Sequence, residues 1–213
     1  MLAGGAVVAD RMAVALAERR AVAALESNLA LTGSPRVDIR GFPFLTQLAR
    51  GSLDDVTAQV PGATLEGTAL TDVDVRAAGV RTSAPWTVRT VTVAGTLPTV
   101  TLDRLLDEQS GLDLTVRLDA DRVVLGTRVL GLPVEAVVVP RADAGGLRVD
   151  VVTVTLAGAG IDVADLPGGL AGRLSDLVVP VSGLPAGVTV TAVAVVADGA
   201  RLTATGTDVT FTR

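Results

Sequence analysis

The stretch GFPFLTQLARG, residues 41–51, places two of the chain's four aromatic rings on either side of one proline. The whole chain of 213 residues contains three Phe, one Trp and no Tyr. The segment Phe44–Arg50 predicts one or two turns of helix, ended by Gly51, because glycine is favoured just after the last helical residue. The two rings either plug the core or form an apolar mouth that contacts a ligand.

A long helix is predicted upstream of this stretch. Residues 9–30 lack Gly and Pro and are rich in Ala, Leu, Glu and Arg. Gly33 and Pro35 end the helix, and a short strand, Arg36–Arg40, leads into the quoted stretch. Wound at about 100° per residue, one face of the helix carries Val14, Ala21, Val22, Leu25 and Leu29.

The remainder of the chain alternates like β-structure. In Thr71–Ala77 and in Leu112–Asp119 apolar residues alternate strictly with polar ones. The apolar positions of Trp86–Leu97 change parity near Arg89–Thr90, which predicts a β-bulge and a bent strand.

Two further helices and three hairpin turns complete the predicted elements. The helices are residues 101–111, with Leu105 among its apolar residues, and residues 164–176. The turns lie at residues 119–121, 143–146 and 198–199. No βαβ rhythm occurs, so the sheet is expected to be antiparallel. The prediction is one domain, 1–213, in which residues 1–8 are the remnant of a trimmed hydrophobic leader or anchor.

Several late strands are apolar on both faces, for example residues 134–140 and 188–197. An antiparallel sheet with one wet face does not need such strands. Either a second layer covers the outer face, as in a two-layer sandwich, or the inner face surrounds a ligand and the outer one meets a helix. The mean hydropathy is +0.53, yet no run of roughly 18 apolar residues is present to span a bilayer.

The missing residue types exclude most catalytic chemistry. The chain has no His, no Cys and no Lys, which removes catalytic triads, Schiff bases and ordinary zinc sites. An enzyme would have to work with carboxylates, Arg, Ser and Thr alone, and because carboxylate pairs exist, a carboxylate-dependent glycosidase is the enzyme alternative. The pairs Asp72/Asp74 and Asp119/Asp121 raise a calcium hypothesis, but strand and turn positions explain them better. We therefore expect no enzyme activity, no metal and no cofactor.

The charge distribution favours an anionic lipid over nucleic acid. The net charge is −5, and an acidic chain with few aromatic residues is a poor nucleic-acid binder. Residues 1–52 alone carry six Arg against four acids. Arg36, Arg40 and Arg50 flank the aromatic stretch, and a basic rim around an apolar mouth suits an anionic headgroup.

Four motifs together resemble a known family. They are Ala9-Asp10-Arg11, the stretch 41–51, the dipeptide Asp55-Val56 and the segment LTDVDVRAAGVR at 70–81. In this order they resemble the actinobacterial lipomannan elongation factor family. The resemblance implies a cell-envelope protein, outside the cytoplasmic membrane, that binds phospholipid, notably phosphatidylinositol, and supports lipoglycan elongation. It also implies a fold similar to tubular lipid-binding proteins, and a hydrophobic leader or anchor that makes the full-length form membrane-anchored or secreted.

The combined prediction is an α+β fold in which a long N-terminal helix packs against a strongly curved antiparallel sheet with short additional helices. The predicted function is non-enzymatic binding or carriage of phospholipid at a membrane surface. Within the quoted stretch, Phe42 is expected to be mainly structural, while Phe44 and Leu48 face the cavity. The predicted lipid-contacting residues are Val14, Leu25, Leu29, Phe42, Phe44, Leu45, Leu48, Trp86 and Leu105, and the predicted headgroup contacts are Arg36, Arg40 and Arg50.

Two other interpretations stay open. The chain could be an envelope scaffold that holds a glycosyltransferase or another partner without carrying lipid. A filled core with an exposed apolar patch would favour that interpretation, whereas a continuous apolar tunnel would favour lipid carriage. Two carboxylates about 5–10 Å apart in an open cleft would favour the glycosidase.

Overall fold

A computed structural model describes residues 2–111, 113–119, 122–129, 131–143, 146–162, 178–181 and 184–211. Three helices and thirteen strands occur in these residues. The helices are α1 (Leu2–Asn28), α2 (Phe44–Arg50) and α3 (Thr99–Ser110). The strands are β1 (Ala30–Thr32), β2 (Arg36–Arg40), β3 (Ser52–Leu65), β4 (Thr68–Arg81), β5 (Trp86–Pro98), β6 (Thr115–Asp119), β7 (Arg122–Val129), β8 (Leu132–Asp143), β9 (Gly146–Leu156), β10 (Ala159–Ile161), β11 (Val178–Pro180), β12 (Val188–Val196) and β13 (Gly199–Phe211).

The strands form two antiparallel sheets, where the sequence predicted one. The seven-stranded sheet has the order β1-β3-β4-β5-β13-β12. β2 also pairs with β3, along residues 55–59, whereas β1 pairs with residues 62–64 of the same strand. The six-stranded sheet has the order β10-β9-β8-β7-β6, with β11 also pairing with β9. The α+β class, the long N-terminal helix and the antiparallel pairing are confirmed.

The chain divides into two compact units. The first comprises Met1–Gly95, Gly183–Thr189 and Ala204–Arg213, and the second comprises Thr96–Ser182 and Val190–Thr203. Each is described by itself below. The prediction of one domain over residues 1–213, with a leader remnant at 1–8, stays a prediction.

In the first unit, α1 packs on the inner face of β2 and β3. Val14 of α1 is buried with Val37 and Ile39 of β2 and with Phe44 of α2. Small residues of α1 let the helix approach the sheet closely, and Glu18 accepts a hydrogen bond from the Ile39 backbone N–H at 2.9 Å. The contacts to this cluster come from Ala13, Ala17, Ala21, Val22, Leu25, Leu53, Val56 and Ala58.

A second cluster of the first unit joins β4, β5, β12 and β13. Val88 and Val91 of β5 are both buried, whereas Arg89 and Thr90 between them are exposed. Two successive exposed positions confirm the predicted change of parity in this strand. On β4, Val73 is buried, and Val75 and Ala77 are half-buried on the same face, as the alternation predicted.

In the second unit, α3 and the six-stranded sheet bury an aliphatic interior. Leu102 and Leu106 of α3 are 3% and 4% exposed, and Val134, Ala136 and Val138 of β8 are at most 2% exposed. The other face of β8 carries half-buried valines, and a bulge interrupts the β8–β9 register between Val137 and Val138.

The boundaries of α1 differ from the prediction, while the other predicted helices hold where they are described. α1 starts at Leu2 and ends at Asn28, because Ala30–Thr32 pairs with β3 instead of continuing the helix. β2 and α2 have the predicted bounds, and α3 starts two residues earlier than predicted. The predicted helix at 164–176, the strand start at Leu112 and the central residues of the turns at 119–121 and 143–146 lie outside the described residues. Among the described residues, none of the helices combines the length and hydropathy that a membrane crossing needs.

Candidate functional site

The two rings of the quoted stretch have opposite environments. Phe44 is 3% exposed and belongs to the cluster under α1, whereas Phe42 is 57% exposed. The prediction that Phe42 is mainly structural is therefore wrong. Phe44, which was expected to face the cavity, lies in this buried cluster. It is the first residue of α2, as predicted, with Pro43 as its N-cap, so the helix sets the direction of its ring.

Asp10 ties the start of α2 to α1. Its side chain is buried, at 2% exposure, and its Oδ1 accepts a hydrogen bond from the Leu45 backbone N–H at 2.9 Å. The first N–H groups of a helix have no partner within the helix, so this carboxylate satisfies one of them from another element. The next residue, Arg11, places its guanidinium carbon 5.5 Å from the centre of the Phe42 ring, within cation–π range. Asp10 and Arg11 thus both contact the stretch 41–51, one by a hydrogen bond to Leu45 and the other at the Phe42 ring.

Gln47 holds both ends of the stretch. It is 1% exposed, its Nε2 donates to the Arg40 carbonyl at 3.3 Å, and its Oε1 accepts from the Asp54 N–H at 2.8 Å. Gly41 has a φ of +98°, and a Cβ at this position would collide with the Gln47 amide. A buried amide therefore braces the stretch from inside.

With Phe44 and Gln47 turned inward, α2 presents apolar side chains to solvent. Leu45 and Leu48 are 44% and 48% exposed, and they lie three residues apart on the helix with Phe42 preceding them. We name Phe42, Leu45 and Leu48 the apolar tip. Exposed apolar groups that lie together on a surface mark an interaction site more often than single ones do.

The N-terminal half of α1 adds a second exposed apolar row. Val8, Met12 and Leu16 are 60%, 70% and 50% exposed, and their spacing of four residues places them on one face of the helix. We name these three residues the α1 row. They lie on the side of α1 opposite Asp10 and Val14, which face α2 and the sheet. The sequence predicted the three tip residues as lipid contacts but not the α1 row. The row was missed because the lipid contacts predicted on α1 were taken from its other face, which carries Val14 and Leu25.

The other predicted lipid contacts are placed apart from the tip or beneath it. Val14 and Leu25 pack in the cluster between α1 and the sheet. Leu29 follows α1 and is 41% exposed, and Trp86 at the start of β5 is 39% exposed. Leu105 is half-buried on α3, in the second unit. Lipid contact by these residues stays a prediction.

The three predicted headgroup arginines line three different clefts. Arg40 lies with Asp38, Asp55, Asp74 and Arg76 on the polar face of β2–β4. Arg36 lines a smaller cleft with Gln59 and Asp72, among others. Both arginines alternate with Val37 and Ile39 along β2, so they lie on the face of the strand opposite α1. The structure does not bring the three arginines together.

Arg50 instead meets two arginines that the sequence prediction did not select. An open cleft of about 480 Å³ in the first unit is lined by Arg50, Arg81 and Arg89. Hydroxyl groups of Ser52, Ser83 and Thr87 and the carboxylate of Asp208 line the same cleft. We name it the arginine cleft. Arg81 ends the segment 70–81, but only the β3–β4 register, which pairs Ser52 with Arg81, shows that it lies beside the end of α2.

The second unit contains a small apolar cavity. It has a volume of about 20 Å³ and lies between α3 and the sheet, lined by Leu102, Leu106, Val116, Leu125, Val138 and Leu147 together with other apolar residues. This volume corresponds to about one water molecule. The cavity is therefore a small gap between packed aliphatic side chains and is far smaller than an acyl chain. The continuous apolar tunnel that would favour lipid carriage is therefore not provided by this cavity.

The predicted acidic pairs do not gather into a metal centre in the described part of the chain. Asp72 and Asp74 lie in β4, as predicted, and Asp119 ends β6, while Asp121 lies outside the described residues. Among the described residues, no group of three or more acidic, His or Cys side chains is placed to hold a metal ion.

Comparison with known proteins gives one match. Neither a curated protein nor a solved structure matches the chain. The sequence model of the LmeA-like phospholipid-binding family matches residues 8–205 of the 213. The matched range includes the Asp10–Arg11 pair, the apolar tip and the arginine cleft except for Asp208. The chain belongs to the LmeA-like phospholipid-binding family.

Proposed function

We propose that the protein binds or carries phospholipid without catalysing a reaction, and that the apolar tip is where it meets the lipid surface. Family membership supports lipid binding in general. The observation that carries the proposal for this chain is the exposure of Phe42, Leu45 and Leu48 on a segment that Asp10 and Gln47 hold rigidly.

The energetics are compatible with a lipid surface as the tip's partner. Burying a leucine or phenylalanine side chain completely contributes roughly 1.5–3 kcal/mol. The tip side chains are about half exposed, so each would contribute a part of that amount. Arg11, held over the Phe42 ring, is placed to contact the phosphate region when the ring enters the apolar layer. The α1 row is a second exposed apolar surface, on the side of α1 that faces away from α2.

The finer parts of the proposal concern the lipid and its place in the cell. We propose phosphatidylinositol as the lipid, and a role in lipoglycan or lipomannan elongation in an actinobacterial cell envelope, outside the cytoplasmic membrane. The Asp10–Arg11 pair and the segments 41–51 and 70–81 support this through the resemblance they carry. Acyl-chain contacts by Val14, Leu25 and Phe44 in the first unit, and by Leu105 in the second, are part of the same proposal.

A scaffold for an envelope glycosyltransferase is the second candidate function. The exposed apolar tip also supports this alternative, because protein partners likewise cover apolar patches. The two functions differ in what accompanies the protein. A lipid carrier isolated from its native cells retains phospholipid, whereas a scaffold retains a protein partner.

The test uses co-sedimentation with phosphatidylcholine vesicles that contain phosphatidylinositol. The double variant Leu45→Ser/Leu48→Ser should bind these vesicles on the order of 10–100-fold more weakly than the wild type, because two apolar contacts are lost. Its melting temperature should change little, since both side chains are already about half exposed.

The matched control is Val100→Ser/Leu132→Ser, which removes two exposed apolar side chains of the second unit, 74% and 47% exposed. It should bind vesicles like the wild type. Equal binding by the tip variant and the wild type would contradict the proposal. Native mass spectrometry of protein from its own cells then separates the two functions: co-purified phospholipid supports carriage, and a protein partner without lipid supports the scaffold.

A further inference from the structure

The arginine cleft lies at the C-terminal end of α2, and α2 is the helix that carries Leu45 and Leu48 of the apolar tip. Arg50 is the last residue of α2, two positions after Leu48, and Ser52 begins β3 directly after the Gly51 cap. A helix of this length extends about 10 Å. An amphipathic molecule whose apolar part contacts Leu45 and Leu48 therefore has its polar part within reach of the cleft.

The charges of the cleft are unbalanced in favour of an anion. Its lining residues include three arginines and one acidic residue, Asp208. Arg50 also contacts Asp54 at 3.4 Å, but both side chains are more than half exposed, so this ion pair is weak and easily exchanged. The cleft is a cationic site on a chain whose net charge is −5.

Gly79 makes room for one of the arginines. It has a φ of +65° within β4, and a Cβ at this position would lie 2.9 Å from the Arg89 Cβ and 3.1 Å from both its Nε and Nη2. The guanidinium of Arg89 therefore lies against the backbone of β4 where any other residue would displace it. A glycine in a strand often marks a close approach of this kind.

We propose that the arginine cleft binds the phosphate of a polyol phosphate, first of all the headgroup of the phospholipid whose apolar part meets the tip. The planar guanidinium fork matches two phosphate oxygens. The hydroxyls of Ser52, Ser83 and Thr87 supply donors and acceptors for a polyhydroxylated group. This inference deepens the proposed function and rests on it for the source of the phosphate; a soluble polyol phosphate has the same chemistry.

Three vesicle compositions test the cleft: phosphatidylcholine alone, phosphatidylcholine with phosphatidylinositol, and phosphatidylcholine with phosphatidylserine at equal charge. Arg81→Gln and Arg89→Gln should each weaken binding to phosphatidylinositol vesicles about tenfold, the effect of losing a charged hydrogen-bonding partner. Binding to phosphatidylcholine alone should not change. Arg89→Lys, which keeps the charge without the fork, should still lose most of the preference for phosphatidylinositol over phosphatidylserine.

Arg76→Gln is the matched control, because Arg76 lies on the same strand and lines a different cleft. It should leave all three affinities within about twofold of the wild type. Equal losses in Arg76→Gln and Arg81→Gln would overturn the proposal in favour of diffuse charge attraction. Unchanged binding by Arg81→Gln and Arg89→Gln would overturn it as well.

Calorimetry with soluble inositol 1-phosphate separates this inference from the proposed function. If wild-type protein binds no vesicles but binds inositol 1-phosphate through Arg81 and Arg89, the cleft stands and the phospholipid function fails. If vesicles bind through the tip while neither variant changes binding to vesicles or to inositol 1-phosphate, the function stands and the cleft proposal fails.

Discussion

Helices α2 and α3 begin and end alike but present different surfaces. Each has a proline at its N-cap, Pro43 or Pro98, and each ends at a glycine with a left-handed backbone, Gly51 at φ +70° or Gly111 at φ +64°. The glycine ends are those expected from helix capping, whereas neither proline N-cap supplies a side-chain cap hydrogen bond. After Val100 in its first turn, the exposed side of α3 carries Arg104 and Glu108, paired at 3.0 Å, whereas α2 exposes Leu45 and Leu48.

Under the proposed function, the difference separates a structural helix, α3, from an interaction helix, α2. An exposed helix face with charged residues four positions apart is what solvent favours. An exposed apolar face gains nothing from water and implies a partner. Their buried sides differ as well: α3 buries Leu102 and Leu106, while α2 buries Phe44 and the amide of Gln47. α2 is thus held by the Phe44 ring together with the Gln47 bonds, and α3 by aliphatic packing together with the bonds that Asp103 and Asp107 accept from backbone N–H groups.

The largest effect should come from the buried side of either helix. Phe44→Ala should lower the free energy of unfolding by about 3–5 kcal/mol, and Leu106→Ala by about 2–5 kcal/mol, because each leaves a cavity in a core. Denaturant unfolding measures both. A loss of only about 1 kcal/mol for Phe44→Ala would contradict its placement in the core and would restore it as a ring at a wet mouth.

A smaller effect is expected from the carboxylates that bind backbone N–H groups near each helix. Asp10 accepts from Leu45, and Asp107 of α3 accepts from the Leu114 N–H at 2.7 Å. Asp10→Ala and Asp107→Ala should each cost about 1–3 kcal/mol of stability, since a backbone N–H loses its partner. Asp10→Asn keeps an acceptor oxygen and should cost less.

Vesicle binding distinguishes these two carboxylates. Asp10→Ala should weaken binding by the protein that remains folded, because Asp10 fixes the start of α2 and with it the tip. Asp107→Ala should leave that binding unchanged. Equal vesicle affinities for the two variants would show that Asp10 contributes to stability alone.

The smallest stability effect should come from the exposed ion pairs. Arg50–Asp54 and Arg104–Glu108 join side chains that are each about half exposed. Arg50→Gln and Arg104→Gln should therefore change the free energy of unfolding by less than about 0.5 kcal/mol. Only Arg50→Gln should reduce the binding of phosphatidylinositol vesicles. A large loss of stability in either variant would contradict the weak pairing.

Local signals in the sequence were sufficient for the elements whose ends are marked by special residues. The bounds of β2 and α2 were predicted because Gly41, Pro43 and Gly51 fix the backbone there. The end of α1 was not, since residues 29–32 have helical propensity and only pairing with β3 draws Ala30–Thr32 into a sheet. The division into two sheets likewise depends on pairings between strands distant in sequence.

The candidate site was predictable in composition more than in arrangement. The stretch 41–51 was singled out because aromatic residues are rare in this chain, but the burial of Phe44 and the exposure of Phe42 depend on where α2 begins. Arg36 and Arg40, which precede the stretch, lie on the face of β2 that points away from α1. Arg81 and Arg89 line the same cleft as Arg50 because of how the strands pair. The spacing of these residues along the sequence does not reveal that pairing.

The buried amide of Gln47 has a consequence for the speed and cost of association. A loop that becomes ordered only on binding loses conformational entropy at that step, about 1–2 kcal/mol for each residue fixed. Here the bonds from Gln47 to Arg40 and Asp54 fix residues 41–51 during folding, so that loss precedes any encounter. The tip can therefore insert as a preformed wedge, and its dwell time on a surface is set by the area it buries rather than by the refolding of a loop.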